Sequence, residues 1–436
     1  MPHTSRSVLV DGFNLALPRG TGVTSYARTL TCCLREMGYE VGVLYGMNIS
    51  RRMPPALREV IFFDSLYGDR PSRRMVPLSA RWWNERLADI TGPRAVEVPI
   101  TGRVESRSYA SRMPAFDHIW NVPHLFNRAA RYFRRTGRFM TVSVPGAPDI
   151  MHWTYPLPIR LKGARNIYTI HDLVPLQLPY TTLDDKGYHY RLIRHIARHA
   201  DAICTVSEAS KQGILTFFPE AGERVHNTFQ SFQSSPETSA GSDEDAAREV
   251  SALFDLEADG FFLFYGSLEP KKNLGRIIEG FLASTSRRRL VIVGAMAWKS
   301  ETELRFLERG IESGRIIKLE YLPRPLLVSL IRSARAVLLP SLSEGFGLPV
   351  LEALSAGTPV LTSREGSLPE VAGDAAMYVD AYDTASITGG IERLDADNAL
   401  CDRIRMLAPG QVRKFSMSDY SQCLSSLYDA MMQTRM

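Results

Sequence analysis

The chain has 436 residues, 44% of them hydrophobic and 23% charged, ordinary values for a globular protein long enough to form two or three domains with sizeable cores. A net charge of +5 does not demand a nucleic-acid partner, and no apolar run approaches the roughly 20 residues of a membrane span. Cys32, Cys33, Cys204, Cys401 and Cys423 lack metal-type or redox spacing. Their odd number points to reduced thiols in a cytoplasmic setting, and residues 1–6 hold no apolar signal core.

Residues 8–10 read as a first strand with Asp11-Gly12 as its exit. Arg19-Gly20-Thr21-Gly22 then opens a helix whose apolar residues at 23, 26, 27, 30 and 34 share one face. A Gly-x-Gly at a helix start can hold phosphate, although without a third glycine it makes no dinucleotide fingerprint. Residues 40–46 supply the second strand. Residues 51–165 carry 20 Lys and Arg against 9 Asp and Glu, a local charge of +11 that leaves −6 for the remainder. Trp82, Trp83, Phe116, Trp120, Phe126, Tyr132 and Phe133 interleave with these charges, and Arg131, Arg134, Arg135 and Arg138 surround the last pair. Such a surface suits an anionic membrane face better than nucleic acid, for which no motif is present.

Residues 149–156 and 166–175 read as strands with polar tips, the second ending in His171-Asp172. Open α/β sheets bind their ligands at such tips. His189, His195 and His199 fall in a helical stretch without the carboxylate of a zinc motif, and are expected on a solvated face. Residues 233–250 are polar, turn-rich and acidic, and read as a linker. A buried-strand pattern follows at 260–265, and its exit loop holds Glu269-Pro270-Lys271-Lys272-Asn273, point charges suited to a diphosphate. Further strand–helix alternations at 290–298 and 316–334 lead to the apolar run 336–340.

The most informative stretch is 340–359. There Glu344-Gly345-Phe346-Gly347-Leu348-Pro349 leads into a helix carrying Glu352 and closing at Gly357. Two glycines let backbone amides approach a ligand, and the positive helix start favours an anion. Glu344 and Glu352, seven residues between them, can accept hydrogen bonds from sugar or ribose hydroxyls. Alternating strands and helices with polar tips indicate doubly wound parallel sheets.

Glu344-x7-Glu352 within Gly-Phe-Gly-Leu-Pro and Gly-Thr-Pro-Val resembles the donor signature of retaining family-4-type glycosyltransferases (glycosyl transferases group 1). The resemblance is loose over 8–30, good over 150–210 and strong over 260–380, while 48–145 matches no motif. It implies the GT-B fold, two Rossmann-like domains facing across a cleft. One would be 1–235, with a basic elaboration at about 48–145 and the returning helix 418–436; the other would be 255–417. It implies His171 and Glu344 as catalytic residues, Asp172 supporting His171, and Gly20 and Gly22 as a phosphate or acceptor loop. Lys271, Lys272, Gly345, Phe346, Gly347, Leu348 and Glu352 would bind the donor, with Lys272 the main phosphate ligand. The implied partners are a nucleotide-sugar donor and a glycan or lipid-linked acceptor held by the 48–145 region, on an enzyme peripheral to the membrane. No metal and no cofactor are expected. A nucleotide-sugar 2-epimerase or a non-catalytic scaffold of the same fold are the alternatives. Leu319-Glu320-Tyr321-Leu322 departs from the family's usual pattern, so the donor base stays open.

Overall fold

A computed structural model describes residues 6–17, 22–67, 91–105, 109, 113–232, 242–294, 306–320 and 322–433. Gly20, Trp82, Trp83 and Tyr321 lie outside these residues. Two large sheets and one separate two-stranded pair organise the described residues. The first half contributes β1 (Ser7–Asp11), β2 (Glu40–Tyr45), β3 (Val96–Glu97), β4 (His118–Asn121), β5 (Met140–Val142), β6 (Ile150–Trp153), β7 (Ile159–Leu161), β8 (Arg165–Thr169), β9 (Ala202–Thr205) and β10 (Val225–Asn227). The second contributes β11 (Phe261–Tyr265), β12 (Arg289–Val293), β13 (Ile316–Leu319), β14 (Ala336–Leu339), β15 (Val360–Ser363) and β16 (Met377–Val379).

The first sheet runs β10-β9-β8-β6-β1-β2-β4-β3 and is parallel except for the β3–β4 edge. The second runs β13-β12-β11-β14-β15-β16, all parallel. Parallel strands covered on both faces need apolar side chains on both, and every residue of β11, Phe-Phe-Leu-Phe-Tyr, is buried. The 48–145 stretch is no detached elaboration. β4 extends the first sheet by pairing with β2, and helix Pro55–Tyr67 sends Phe62 and Phe63 into a core with Tyr45.

The stretch 233–250 divides differently from its reading as a linker. Ser242 and Asp245 form a reciprocal capping box that starts helix Asp243–Phe254, whose acidic first turn suits the helix dipole. Glu249 accepts from Ser329 Oγ at 2.5 Å and Asp243 lies 3.4 Å from Arg332 Nε, so this helix packs on helix Arg324–Ser333. The second domain therefore begins at 242 and not 255. The chain crosses back at Phe415, whose carbonyl accepts the amide of Phe232 at 2.9 Å. Helix Met417–Gln433 then packs on the first domain, where the Tyr428 hydroxyl meets His152 Nδ1 at 2.6 Å and Asp429 pairs with Arg6. No helix among the described residues is long and apolar enough to cross a membrane.

Candidate active site

Strand order locates the crevice. The second sheet reverses direction at β11, flanked by β12 and β14, so the loops leaving β11 and β14 part at their carboxyl ends. Lys272 in the first loop and Glu344 in the second meet there, with Nζ 2.6 Å from Oε1 and both side chains about one-tenth exposed. Ser341 Oγ donates to the same oxygen at 2.8 Å. Burial pushes the Glu344 carboxyl up, but Lys272 and Lys271 outweigh it and hold it below its usual range.

Lys271 points the other way. Its Nζ lies 3.9 Å from Asp172 Oδ2 and 4.0 Å from Glu269 Oε2, so it spans from the second domain to the first. Burial works against its charge, yet Asp172, Glu344 and Glu269 keep its pKa raised, and it stays an ammonium through the physiological range. The two adjacent lysines thus divide the work, Lys272 holding Glu344 and Lys271 facing the cleft.

Gly347 takes φ 101° just before helix Leu348–Ser355, a left-handed conformation that suits glycine, and Pro349 sits in the first turn where no amide is needed. Gly345 has a different reason to be glycine. A β-carbon there would lie 2.6 Å from the His171 carbonyl oxygen of the first domain. Ser210 Oγ donates to that oxygen at 2.6 Å, and the Glu370 carboxylate accepts the amides of Glu208 and Ala209 at 2.8 and 2.7 Å. The domains thus touch around this loop. Phe346, expected to contact donor, is instead buried against Phe415, with ring centroids 5.3 Å apart; it wedges the loop from below. Leu348 comes close to Gly22, on which a β-carbon would lie 3.8 Å from Leu348 Cδ1. Glu352 pairs with Arg324 at 2.8 Å, so the two glutamates serve separate ion pairs.

The first sheet presents the opposite wall. Its order reverses at β1, which has β2 and β6 as neighbours. Asp11 at the end of β1 is fully buried and accepts the amides of Thr154, just past β6, and of Phe13. Burial raises the Asp11 pKa to about 6 against these hydrogen bonds. The Thr154 carbonyl accepts from His171 Nε2 at 2.9 Å. A carbonyl can only accept, so Nε2 carries the proton, and burial lowers the ring's pKa. The neutral His171 therefore keeps a lone pair on Nδ1. Of the two roles the resemblance implies for Asp172, orienting His171 or tuning it by charge, the structure shows the charge: it raises the ring's pKa against the effect of burial. Asp172 also accepts the Val174 amide at 3.2 Å and faces Lys271.

His171, Asp172, Tyr155, Glu269 and Lys271 line a cavity of about 380 Å³ between the domains. Residues 181–184 and His189, in the first turn of helix Lys186–His199, also line it, with Val23, Pro156, Val174 and Pro175. His189 is thus not on a solvated face, and burial depresses its pKa. His195 and His199 do stay outside the site, their rings stacked 4.3 Å apart and His195 also stacked on Phe139 at 4.0 Å. Among the described residues none of 48–145 lines this cavity, although the acceptor was expected there. Thr154 and Tyr155 fall in the polar strand tip 149–156, whereas Asp11, Thr182 and His189 were not singled out for the site in the sequence. Polar residues at the ends of adjacent strands, Asp11 and Thr154, were the available signal.

Arg131, Arg134, Arg135 and Arg138 are exposed on and just after helix Leu125–Thr136. Phe133 on the same helix is buried, and Arg134 lies 4.8 Å over the Tyr188 ring. The aromatics here belong to the core and the charges to the surface.

Residues 248–409 match the model of the family described as glycosyl transferases group 1. The chain is 31% identical over 267 residues to the O-antigen chain mannosyltransferase B of Escherichia coli, covering 60% of this chain and 68% of that protein. It is 28% identical over 301 residues to the serotype-specific mannosyltransferase WbdA of Escherichia coli, covering 63% of this chain but only 36% of that longer protein. Among solved structures, sucrose-phosphate synthase from Thermosynechococcus elongatus superposes with a TM-score of 0.63 at 16% identity, covering 98% of this chain and 100% of that one. The chain belongs to the group 1 glycosyltransferases and has their GT-B fold.

Proposed function

We propose that the protein transfers a hexose, with mannose from GDP-mannose the favoured case, to a hydroxyl of a glycan or lipid-linked acceptor in surface polysaccharide synthesis. The similarity to two proteins named as mannosyltransferases, one of an O-antigen chain, supports the sugar and the pathway. The observation that carries the chemistry is the buried Lys272–Glu344 pair at the β11/β14 crevice, opposite the neutral His171. The C1–O bond to the diphosphate breaks with the electron pair going to phosphate oxygen. The acceptor oxygen bonds C1 on the same face, and its proton passes to the departing diphosphate. Lys271, Lys272 and the first amides of helix Leu348–Ser355 would take up the charge developing on that diphosphate. Glu344 and Glu352 would accept donor hydroxyls, and Gly22 would lie near the phosphates. This scheme uses no cofactor and no metal ion. Calorimetry with GDP-, UDP- and dTDP-sugars, followed by proton NMR of the product, tests it. GDP-mannose binding and an α-mannosyl product are expected. Tighter binding of another sugar nucleotide would move the donor assignment, and an epimerised donor made without acceptor would move the reaction.

The exposed arginines at 131, 134, 135 and 138 support a reversible seat on an anionic bilayer. Each basic group near such a surface adds about 1 kcal/mol, screened within a Debye length. Replacing all four by Ser should release the protein from phosphatidylglycerol vesicles and spare donor binding. Wild-type protein that does not co-sediment at low salt would overturn this seat.

A further inference from the structure

His171 is held at the cleft from two sides. Its Nε2 donates to the Thr154 carbonyl, which fixes one end of the ring. The other restraint is the Tyr26 ring, which stands edge to face against the imidazole with centroids 5.0 Å apart and planes at 89°. Tyr26 lies one turn inside helix Gly22–Glu36 and is fully buried.

Tyr26 is itself held from behind. Its hydroxyl meets Thr169 Oγ1 at 3.0 Å, Thr169 Oγ1 meets His152 Nε2 at 2.8 Å, and His152 Nδ1 meets the Tyr428 hydroxyl at 2.6 Å. All four side chains are fully buried. Thr169 ends β8 two residues before His171, and residues two apart on an extended backbone share a face. Burial keeps the His152 ring neutral, so it donates at one nitrogen, accepts at the other and serves both hydroxyls at once. Burial likewise holds the phenols of Tyr26 and Tyr428 protonated. Tyr428 belongs to the returning helix Met417–Gln433, and so does Tyr420, whose ring centroid lies 6.5 Å from that of Tyr26. Apolar side chains would fill this space with no polar group to satisfy. A buried polar chain that ends on His171 instead holds one arrangement, because moving any member strands its neighbours' polar atoms away from water.

The geometry points to Tyr26 as the residue that positions His171 for the transfer, with the returning helix as its anchor through Tyr428, His152 and Thr169. Tyr26 has no accessible surface, so it acts through the histidine and not on a substrate. The assignment rests on the glycosyl transfer proposed above, in which His171 stands opposite the Lys272–Glu344 pair. A helix behind the first domain, contributed by the end of the chain, thereby sets turnover without touching the donor.

The test uses the full-length protein with GDP-mannose as donor and methyl α-mannobiosides as acceptors. Tyr26→Phe and Tyr428→Phe each remove one hydroxyl at constant ring shape. Each should lower kcat about threefold to tenfold while donor affinity stays within twofold. The double variant should turn over about as fast as Tyr26→Phe alone, because the chain is already cut; two independent packing defects would multiply. Tyr26→Leu also removes the ring edge and should lower kcat about thirtyfold or more. Nitrogen-15 spectra of the imidazoles, with His171 assigned through His171→Gln, supply a readout apart from activity. The wild type should show a single Nε2–H tautomer, and Tyr26→Leu a mixture of tautomers. If Tyr26→Leu does not fold, the two Phe variants and their double decide the matter. Wild-type kcat in both Phe variants, losses that multiply in the double, a matching loss of donor affinity, or an unchanged His171 signal in Tyr26→Leu would overturn the positioning role. Wild-type protein that neither binds GDP-mannose nor forms product would instead overturn the transfer reading, and the His171 spectrum would still show whether Tyr26 holds the ring.

Discussion

The cleft has two walls, and they are built in different ways. The second-domain wall consists of two loops, 266–273 and 340–347, each leaving one strand of a uniformly parallel sheet and each short enough to be read as a local motif. Its central contact, Lys272 to Glu344, joins adjacent strand tips. The first-domain wall is assembled from four separated pieces. Asp11, Thr154 and His171 form a chain of hydrogen bonds across β1, β6 and β8, and the 181–189 turn closes the far side. In the proposed reaction the Lys272–Glu344 wall would take the nucleotide diphosphate, and the other wall would face the acceptor. A common ligand suits a compact motif, and a variable one suits a wall whose pieces can change separately.

The sharpest way to break this comparison is to cut the Lys272–Glu344 contact. Removing one member leaves the other buried without its direct partner, Glu344 keeping only the field of Lys271, and breaking such pairs costs about 3–5 kcal/mol. Lys272→Met and Glu344→Gln should each lose stability on that scale in urea unfolding. The double variant Lys272→Met/Glu344→Leu should regain most of it while kcat/KM stays at least a hundredfold down, about 2.7 kcal/mol of transition-state stabilisation. Additive stability losses in the double variant would mean that the pair is not the unit described here.

A smaller effect is expected where the two walls touch. Gly345→Ala places a methyl 2.6 Å from the His171 carbonyl, so backbone must shift on one side of the cleft. Turnover should fall about tenfold, about 1.4 kcal/mol, with nucleoside diphosphate affinity nearly unchanged, because the donor loops keep their own strands. A loss confined to nucleotide affinity, with kcat preserved, would show that Gly345 serves the phosphate and not the contact between domains.

What was legible in the sequence follows the same division. Glu344, Gly347, Pro349 and Lys272 were readable because each requirement is local: a helix start, a left-handed turn, charge at a strand tip. Gly345 was read as a position where backbone amides approach a ligand, whereas the group packed against it is the His171 backbone across the cleft, which no local pattern reveals. His189 looked like one of three histidines on a helix, and only the turn at 181–184 folding beside it makes a cavity wall. Thr154 carries no motif and matters through its backbone, whose amide is held by Asp11 and whose carbonyl holds His171. One miss was avoidable. Ser242-Asp-Glu-Asp245 has capping-box spacing ahead of Ala246 and Val250, both buried, and so announces a helix within what composition alone suggested was a linker.

The smallest expected effect concerns how the first-domain wall is held from behind. His152, on β6 next to Thr154, is fully buried between Tyr428 of the returning helix and Thr169, with contacts at 2.6 and 2.8 Å. Burial lowers its pKa from 6.5 to about 3, with His171 adding to the effect. The folded protein thus keeps this ring neutral while the unfolded chain protonates it near 6.5, so below that pH the unfolded state binds more protons. His152 should therefore contribute full stability above about pH 6.5 and lose it as pH falls towards 3, with a slope of at most about 1.4 kcal/mol per unit. Asp11 acts in the opposite sense. Its folded pKa of about 6 lies above the unfolded 3.8, so its contribution is present below 3.8 and is lost as pH rises through 6, partly cancelling the histidine slope between those values. His152→Gln keeps a hydrogen-bonding side chain but cannot titrate. Chemical unfolding of wild type and variant at pH 7.5, 6.5 and 5.5 should show the wild type losing more stability on acidification, while the variant shows a shallower dependence, set by Asp11 against the remaining histidines of lowered pKa, His171, His189, His195 and His226. Parallel pH profiles would mean that His152 does not set the acid sensitivity of the seat between β6 and the returning helix, and the back of this wall would then be held by Tyr428 packing alone.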